Sequence, residues 1–248
     1  MRTDEANRTR RLYPKRFTSR YYGLKRLAEA MEITAKQLAT TKHGGRPIVV
    51  DLGCGSMPYR PLFLPHAEAY HGVDIDSNPD ADIKLDPDSY AVNLPDNTAD
   101  IILSTQVLEH VAMPQQYLTE ARRLCRPDGR LILSTHGMFK YHPHPADYRR
   151  WTAQGLTQEL AQAGWHVEQI TGILGFAAAA FLLLQDAIVT KLPRIGPLRS
   201  FCACILQQVV GLLDLLYSEE ERQENAAVFL VVATCEHDSA VDSDREAI

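Results

Sequence analysis

Four side chains in one short stretch could move a proton or hold a metal ion: His136, His142, His144 and Asp147. They lie in Thr135-His136-Gly137-Met138-Phe139-Lys140-Tyr141-His142-Pro143-His144-Pro145-Ala146-Asp147-Tyr148-Arg149-Arg150-Trp151-Thr152. An imidazole titrates near neutral pH, so a histidine here is a natural general base for a hydroxyl. Alternating prolines deny the stretch a sheet ladder, which makes it a loop rather than core. Metal binding by the same four is the obvious alternative. Yet neither His-x-His with a proline between nor its offset to His136 matches a firm zinc spacing. A loop that shapes the pocket of a reacting molecule is therefore expected, with no metal ion. His136 ranks first, because it stands nearest the end of the preceding apolar run, Arg130 to Ser134.

A second chemical feature is Val49-Val50-Asp51-Leu52-Gly53-Cys54-Gly55-Ser56. Pro47, Ile48, Val49 and Val50 read as a buried strand. Gly53 and Gly55 lack a Cβ, so backbone N–H groups can approach a small polar or anionic molecule closely. Asp51, at the strand's end, is placed to accept a hydrogen bond from an ammonium or hydroxyl. About twenty residues on comes Tyr70-His71-Gly72-Val73-Asp74-Ile75-Asp76. An acid at the end of the next strand is where α/β nucleoside-binding folds hold ribose hydroxyls. No third glycine follows Gly55, which argues against a dinucleotide dehydrogenase.

Asp51-Leu52-Gly53-Cys54-Gly55, Gly72-Val73-Asp74, Leu94-Pro95-Asp96-Asn97, Val107-Leu108-Glu109-His110 and Arg122 to Leu131 occur in this order. Together they resemble the motifs of the class I S-adenosylmethionine (SAM)-dependent methyltransferases, over roughly residues 46 to 171 with residues 227 to 235 as a last strand. The resemblance implies a Rossmann-like α/β fold, with a mostly parallel seven-stranded sheet and helices on both faces. It implies SAM as cofactor, with Asp51, Gly53, Cys54, Gly55, Asp74 and Ile75 around it. Asp86 becomes the expected adenine contact, with Asp88 as its rival, because a small insertion over 87–93 lengthens the family's spacing. Ser104 and Gln106 fall near the methionine part of the cofactor. Val-Leu-Glu-His accompanies many chemistries in this family, so Glu109 and His110 are read as structural or cofactor-positioning. Runs similar to His-Pro-x-Asp-Tyr-x-Arg-Trp-Thr occur in methyltransferases of sugar and cell-surface biosynthesis. The expected activity is O-methylation of a sugar, lipid-linked or secondary-metabolite hydroxyl. The alternative is a non-catalytic scaffold on the same fold.

Elements that would position these groups follow from patterning. Of the 248 residues, 45% are hydrophobic and 23% charged, an ordinary globular balance long enough for a substantial core. A net charge of −5 gives no reason to expect nucleic acid as partner. Five cysteines, an odd number without metal spacing, suggest reduced thiols and a cytoplasmic protein. The first residues lack an apolar run, so no leader peptide is expected. Residues 1–45 read as a basic arm and an N-terminal helix capped by Ser19; the resemblance implies that this helix packs over the cofactor site, where Tyr21 and Tyr22 could reach the pocket, though a packing role for them is favoured. Residues 46–235 form the methyltransferase domain, and 236–248 a disordered acidic tail. Trp165 to Thr171 is a sixth strand. Within the domain, 173–217 is an apolar helical insertion broken by Lys191, Arg194 and Arg199. Asp186 and Asp214 oppose deep membrane insertion. A cap beside the site is favoured, with a homodimer face or peripheral membrane contact as secondary roles. The reacting partner is a small-molecule acceptor.

Overall fold

A computed structural model describes residues 10–41, 44–189, 191 and 196–235. Its centre is a seven-stranded sheet in the order β3-β2-β1-β4-β5-β7-β6. The strands are β1 (Ile48–Leu52), β2 (Ala69–Asp74), β3 (Ile83–Lys84), β4 (Ala99–Thr105), β5 (Cys125–His136), β6 (Trp165–Gly175) and β7 (Ala226–Cys235). Strands β1 to β5 pair in parallel, and β7 runs antiparallel between β5 and β6. The central strands are buried on both faces, which is why they read as unbroken apolar runs rather than alternating ones.

Alternation sends successive side chains to two separate cores. Val50, Leu52, Ile102, Leu131 and Leu133 meet α3 (Pro114–Leu124) and α4 (Ala153–Gln162) on one face. Val49, Ile101, Leu103 and Ile132 meet α1 (Tyr21–Gln37), α5 (Phe176–Val189) and α6 (Gly196–Asp214) on the other. Two further short α-helices among the described residues are α2 (Arg60–Phe63) and α7 (Glu219–Glu224), and Leu108–His110 forms a 3-10 turn after β4. The sheet reverses direction of growth at β1 and β4, and the carboxyl ends of those strands flank the crevice where open α/β sheets bind ligands.

Several boundaries differ from the sequence reading. Strand β6 continues to Gly175 because Gly172 and Ile173 find ladder partners in Phe229 and Val228, so the helix starts only at Phe176. Arg126 to Gly129, which the sequence suggests as a turn before the apolar run at Arg130, is an irregularity inside β5, between the pairs Ala99–Cys125 and Ile101–Arg130. Ser19 does not cap α1; Arg20 holds that position without a side-chain bond. The polar bridge before the last strand contains α7, with a capping box between Ser218 and Glu221. The first nine residues and the tail at 236–248 lie outside the described residues.

Helices α5 and α6 pack beside the sheet through buried polar groups. Gln207 accepts from Tyr22 N at 2.7 Å and donates to Ser19 O and Gln185 Oε1 at 2.9 and 2.8 Å. Asp214, 1% exposed, accepts from Gly175 N at 2.8 Å and Arg222 Nε at 3.3 Å. Tyr22 is therefore a packing residue, its hydroxyl also 3.5 Å from Asp214. The opposite side of the pair is apolar and open: Phe176, Leu184, Phe201, Ile205, Leu212 and Leu215 are each at least half exposed. Among the described residues no helix is long and apolar enough to cross a membrane.

Candidate active site

The glycine turn after β1 is tied to β2 rather than left open to a ligand. Gly53 N and Cys54 N both donate to Val73 O, at 2.8 and 3.0 Å, and Gly55 N donates to Asp74 Oδ2 at 2.9 Å. The N–H groups expected to face a ligand are thus consumed by the sheet edge. Both glycines are still needed. Gly53 has φ +71°, and a Cβ there would come within 2.6 Å of Val107. Gly55 has φ +51° and faces open space, so its missing side chain leaves room for a ligand. That room is an open cavity of about 400 Å³ lined by Gly55, Ser56, Asp74, Ile75, Asn78 and His144 among others. Asn78, which sequence reasoning missed, donates to Asp74 Oδ2 at 2.7 Å and Gly55 O at 2.8 Å. Nothing in a single Asn after a strand signals this role.

Other cofactor expectations fall at different depths. Asp51 is 1% exposed; its Oδ2 accepts from Tyr70 at 2.6 Å, and its Oδ1 has no hydrogen-bond partner. Burial pushes its pKa up to about 7, against the lowering effect of the Tyr70 hydroxyl. The Cys54 thiol is buried and pushed up for the same reason, leaving its backbone as the part at the turn. Ser104 is a correction. It is fully buried and bonded to Tyr117 at 2.8 Å, on the side of β4 that faces the core under α3. Gln106 sits just beyond, with φ +58°, and donates to Ser134 Oγ at 3.2 Å. Asp86 is exposed, and Oδ1 accepts from the N–H groups of Asp88 and Ser89, which hold its carboxyl below the usual range. It borders a neighbouring open cavity of about 580 Å³ with Asp76 and Asn93.

The histidine loop leaves β5 at His136 and returns to it, since Trp151 N donates to His136 O at 3.0 Å. His136 is 3% exposed and stacks on Phe139, ring centroids 3.9 Å apart. Its Nδ1 lies 2.9 Å from Glu109 Oε1, an ion pair when the imidazole is protonated, and neither atom has a further polar partner. Glu109 is wholly buried, and its Oε2 accepts from Thr135 at 2.9 Å. Burial alone would raise its pKa, but His136 and Thr135 outweigh that and leave it lowered. The His142 ring is 4.9 Å from His136 and 5.0 Å from His110. Its own burial, then the two neighbouring imidazoles, push its pKa down to about 4. It is neutral at pH 7. His144 reaches further, lining the glycine-turn cavity while its ring stands 5.7 Å from His142.

Asp147 is the other correction. Arg150 holds it bidentately, at 2.5 and 2.6 Å, and His142 N donates to it at 2.7 Å. The guanidinium keeps its carboxyl well below the usual range, so it braces the loop and is no base. Arg150 also donates to Phe139 O, and Lys140 pairs with Asp186 of α5 at 2.5 Å. The helical pair therefore adjoins the histidine loop. Glu109 belongs to the cluster although sequence reasoning left it a positioning role; the signal was its place beside the carboxyl end of β4.

A doubly wound sheet with this order, a glycine turn beside an acid-capped second strand and a polar loop after β5 define a Rossmann-like α/β architecture with its crevice at the carboxyl ends of β1 and β4. Residues 50–133 match the family description "Methyltransferase domain". A probable SAM-dependent methyltransferase of Mycolicibacterium smegmatis is 28% identical over 54% of this chain and 58% of its own length. An uncharacterized methyltransferase of Mycobacterium leprae is 29% identical over 68% of this chain and 59% of its own. The chain thus spans less than two thirds of the length of these curated relatives. A SAM-dependent methyltransferase structure from Thermotoga maritima superposes with a TM-score of 0.51 at 15% identity, covering 94% of this chain and 96% of that one. Residues 50–133 thus match a methyltransferase domain, and the chain is similar to SAM-dependent methyltransferases, whose cofactor is SAM.

Proposed function

We propose that this chain moves the methyl group of SAM to a hydroxyl oxygen of a small molecule, most simply a sugar, lipid-linked or secondary-metabolite hydroxyl. The observation that carries this reading is His144, which lines the glycine-turn cavity and touches the ring cluster of His142 and His136. Cofactor cradle and proton-handling groups are thereby neighbours. In this reading Gly55 leaves open space for the cofactor, Asp74 offers carboxylate oxygens to ribose hydroxyls, and Asp86, beside the neighbouring cavity, receives the exocyclic amine. SAM supplies a methyl carbon already activated on a sulfonium. The chain's share is orientation and proton removal. As an acceptor oxygen forms its bond to that carbon, the carbon–sulfur bond breaks and its electron pair returns to sulfur. The hydroxyl proton passes to His136, with the Glu109 carboxylate beside it to stabilise the imidazolium. His142 and His144 line the acceptor's side.

A scaffold role is favoured by one observation, the open apolar side of α5 and α6. Calorimetry with SAM and methyl transfer from labelled SAM to a panel of glycosides and phenols separate the two. SAM binding with transfer to a hydroxyl supports the enzyme; no SAM binding by the folded chain overturns it.

A further inference from the structure

Three groups from two strand ends converge on one point in this loop. Glu109 offers a carboxylate oxygen, and His136 and His142 each offer a ring nitrogen; the three ligand atoms lie within 4.8 Å of one another. We propose that Glu109, His136 and His142 bind a divalent transition-metal ion of the zinc class. The strongest reason is that Glu109 Oε1 and His136 Nδ1 are buried, face each other at 2.9 Å, and have no polar partner beyond each other. Two buried ligand atoms satisfied only by each other leave lone-pair capacity that an ion seated beside both would use. Ligands about 2.0–2.1 Å from a common ion stand roughly 3 Å apart, close to the separation seen here. The His142 ring nitrogen already lies within 4.8 Å of the other two ligand atoms, so a small movement of its ring completes the triangle.

The surroundings match what such ligands require. A metal-binding imidazole usually has its second nitrogen held by a carboxylate or carbonyl. Asp147 Oδ2 lies 3.7 Å from His142 Nδ1, on the side that would leave Nε2 free. His110 presents Nε2 3.9 Å from Glu109 Oε1, while its Nδ1 contacts Ala146 O at 2.5 Å. It stands ready as a further ligand. Two imidazoles and one carboxylate, with positions left open, suit Zn²⁺, Co²⁺ or Fe²⁺ better than Ca²⁺ or Mg²⁺. With the ion bound, His136 and Glu109 would be ligands rather than a base and its stabiliser, and the ion would grip the acceptor's oxygen and make its hydroxyl more acidic. Only that role rests on the methyltransferase reading; ion binding itself does not.

The test uses the full chain, stripped with a chelator and then titrated with ZnCl₂ by calorimetry and with CoCl₂ by visible absorption, in the absence of SAM. The expected result is one ion per chain, a cobalt spectrum of low coordination number, and affinity reduced more than about 100-fold in His136→Ala. Since His136 is buried, His142→Ala serves as the second variant, and circular dichroism checks both folds. No stoichiometric binding overturns the proposal. So does zinc binding that survives in the folded His136→Ala/His142→Ala variant. If zinc fails to bind while labelled SAM still delivers methyl, the proposed function stands and the metal site alone falls.

Discussion

At the scale of single residues, Asp74 and Gly55 carry the cradle. Asp74 is the hinge of a small network, accepting from Gly55 N, Ile75 N and Asn78. Its replacement by alanine removes a ribose acceptor and also frees the turn. SAM affinity should fall about 10-fold or more, since a hydrogen bond to a charged group is worth about 1.5–3 kcal/mol. Gly55→Val should abolish binding, both by filling the space and by straining φ +51°. Calorimetric titration with SAM measures both, and unchanged affinity in folded variants would remove the cradle assignment. Asp51 gives a pH prediction. Its folded pKa, about 7, is raised above the usual 3.8. The stabilisation from keeping it protonated is present below about 3.8 and is lost as pH rises through about 7. Asp51→Asn should therefore melt higher than the wild type at pH 8 and equal to it near pH 4, by thermal melts across that range. An equal gain at both ends would show that Asp51 is not titrating.

Among elements, the histidine loop and the helical pair each hang on one buried carboxylate. Asp147→Ala should leave SAM affinity within about threefold, a difference of roughly 0.7 kcal/mol, while raising the acceptor's KM as the loop loosens. A double-mutant cycle with Arg150→Ala should return a coupling of about 1–3 kcal/mol, since the pair is charge-assisted and bidentate. A coupling near zero would mean that the loop is held elsewhere. Asp214 bonds the end of β6, α7 and, through Arg26 and Tyr22, helix α1. Asp214→Ala leaves Arg222 buried without its carboxylate and should cost about 3–5 kcal/mol in urea unfolding. A cost below about 1 kcal/mol would show that apolar contacts alone dock the helices.

For the whole molecule, binding and stability are linked through the crevice between β1 and β4. SAM at 100 times its dissociation constant should stabilise the fold by about 2.7 kcal/mol. For a chain of this size that corresponds to a rise in Tm of about 5–10 °C. Differential scanning should show the shift in the wild type and in Asp214→Ala, and none in Gly55→Val. A shift lost only with the helical pair would instead make α5 and α6 part of the cofactor site.

The amino-acid sequence by itself determined the parts built from near neighbours. β1, the glycine turn and Asp74 lie within one strand–turn–strand unit, where β-branched runs and positive-φ glycines report local backbone states. The capped helix from Thr152 to Gly164 is equally local, with Thr152 accepting from Gly155 N and Gly164 at φ +78°. Tertiary structure decided the rest. Whether Gly172 to Gly175 is strand or helix depended on a partner strand that arrives only at Ala226. Ser104 looked available at a sheet edge, but its side of the strand faces a core closed by Tyr117. Asp147 looked like a base until Arg150 was seen to hold it, and Glu109 joined His136 only because β4 and β5 pair side by side. Periodicity reports which groups are local neighbours, while acid, base and ligand roles depend on which charges the folded sheet brings within a few ångströms.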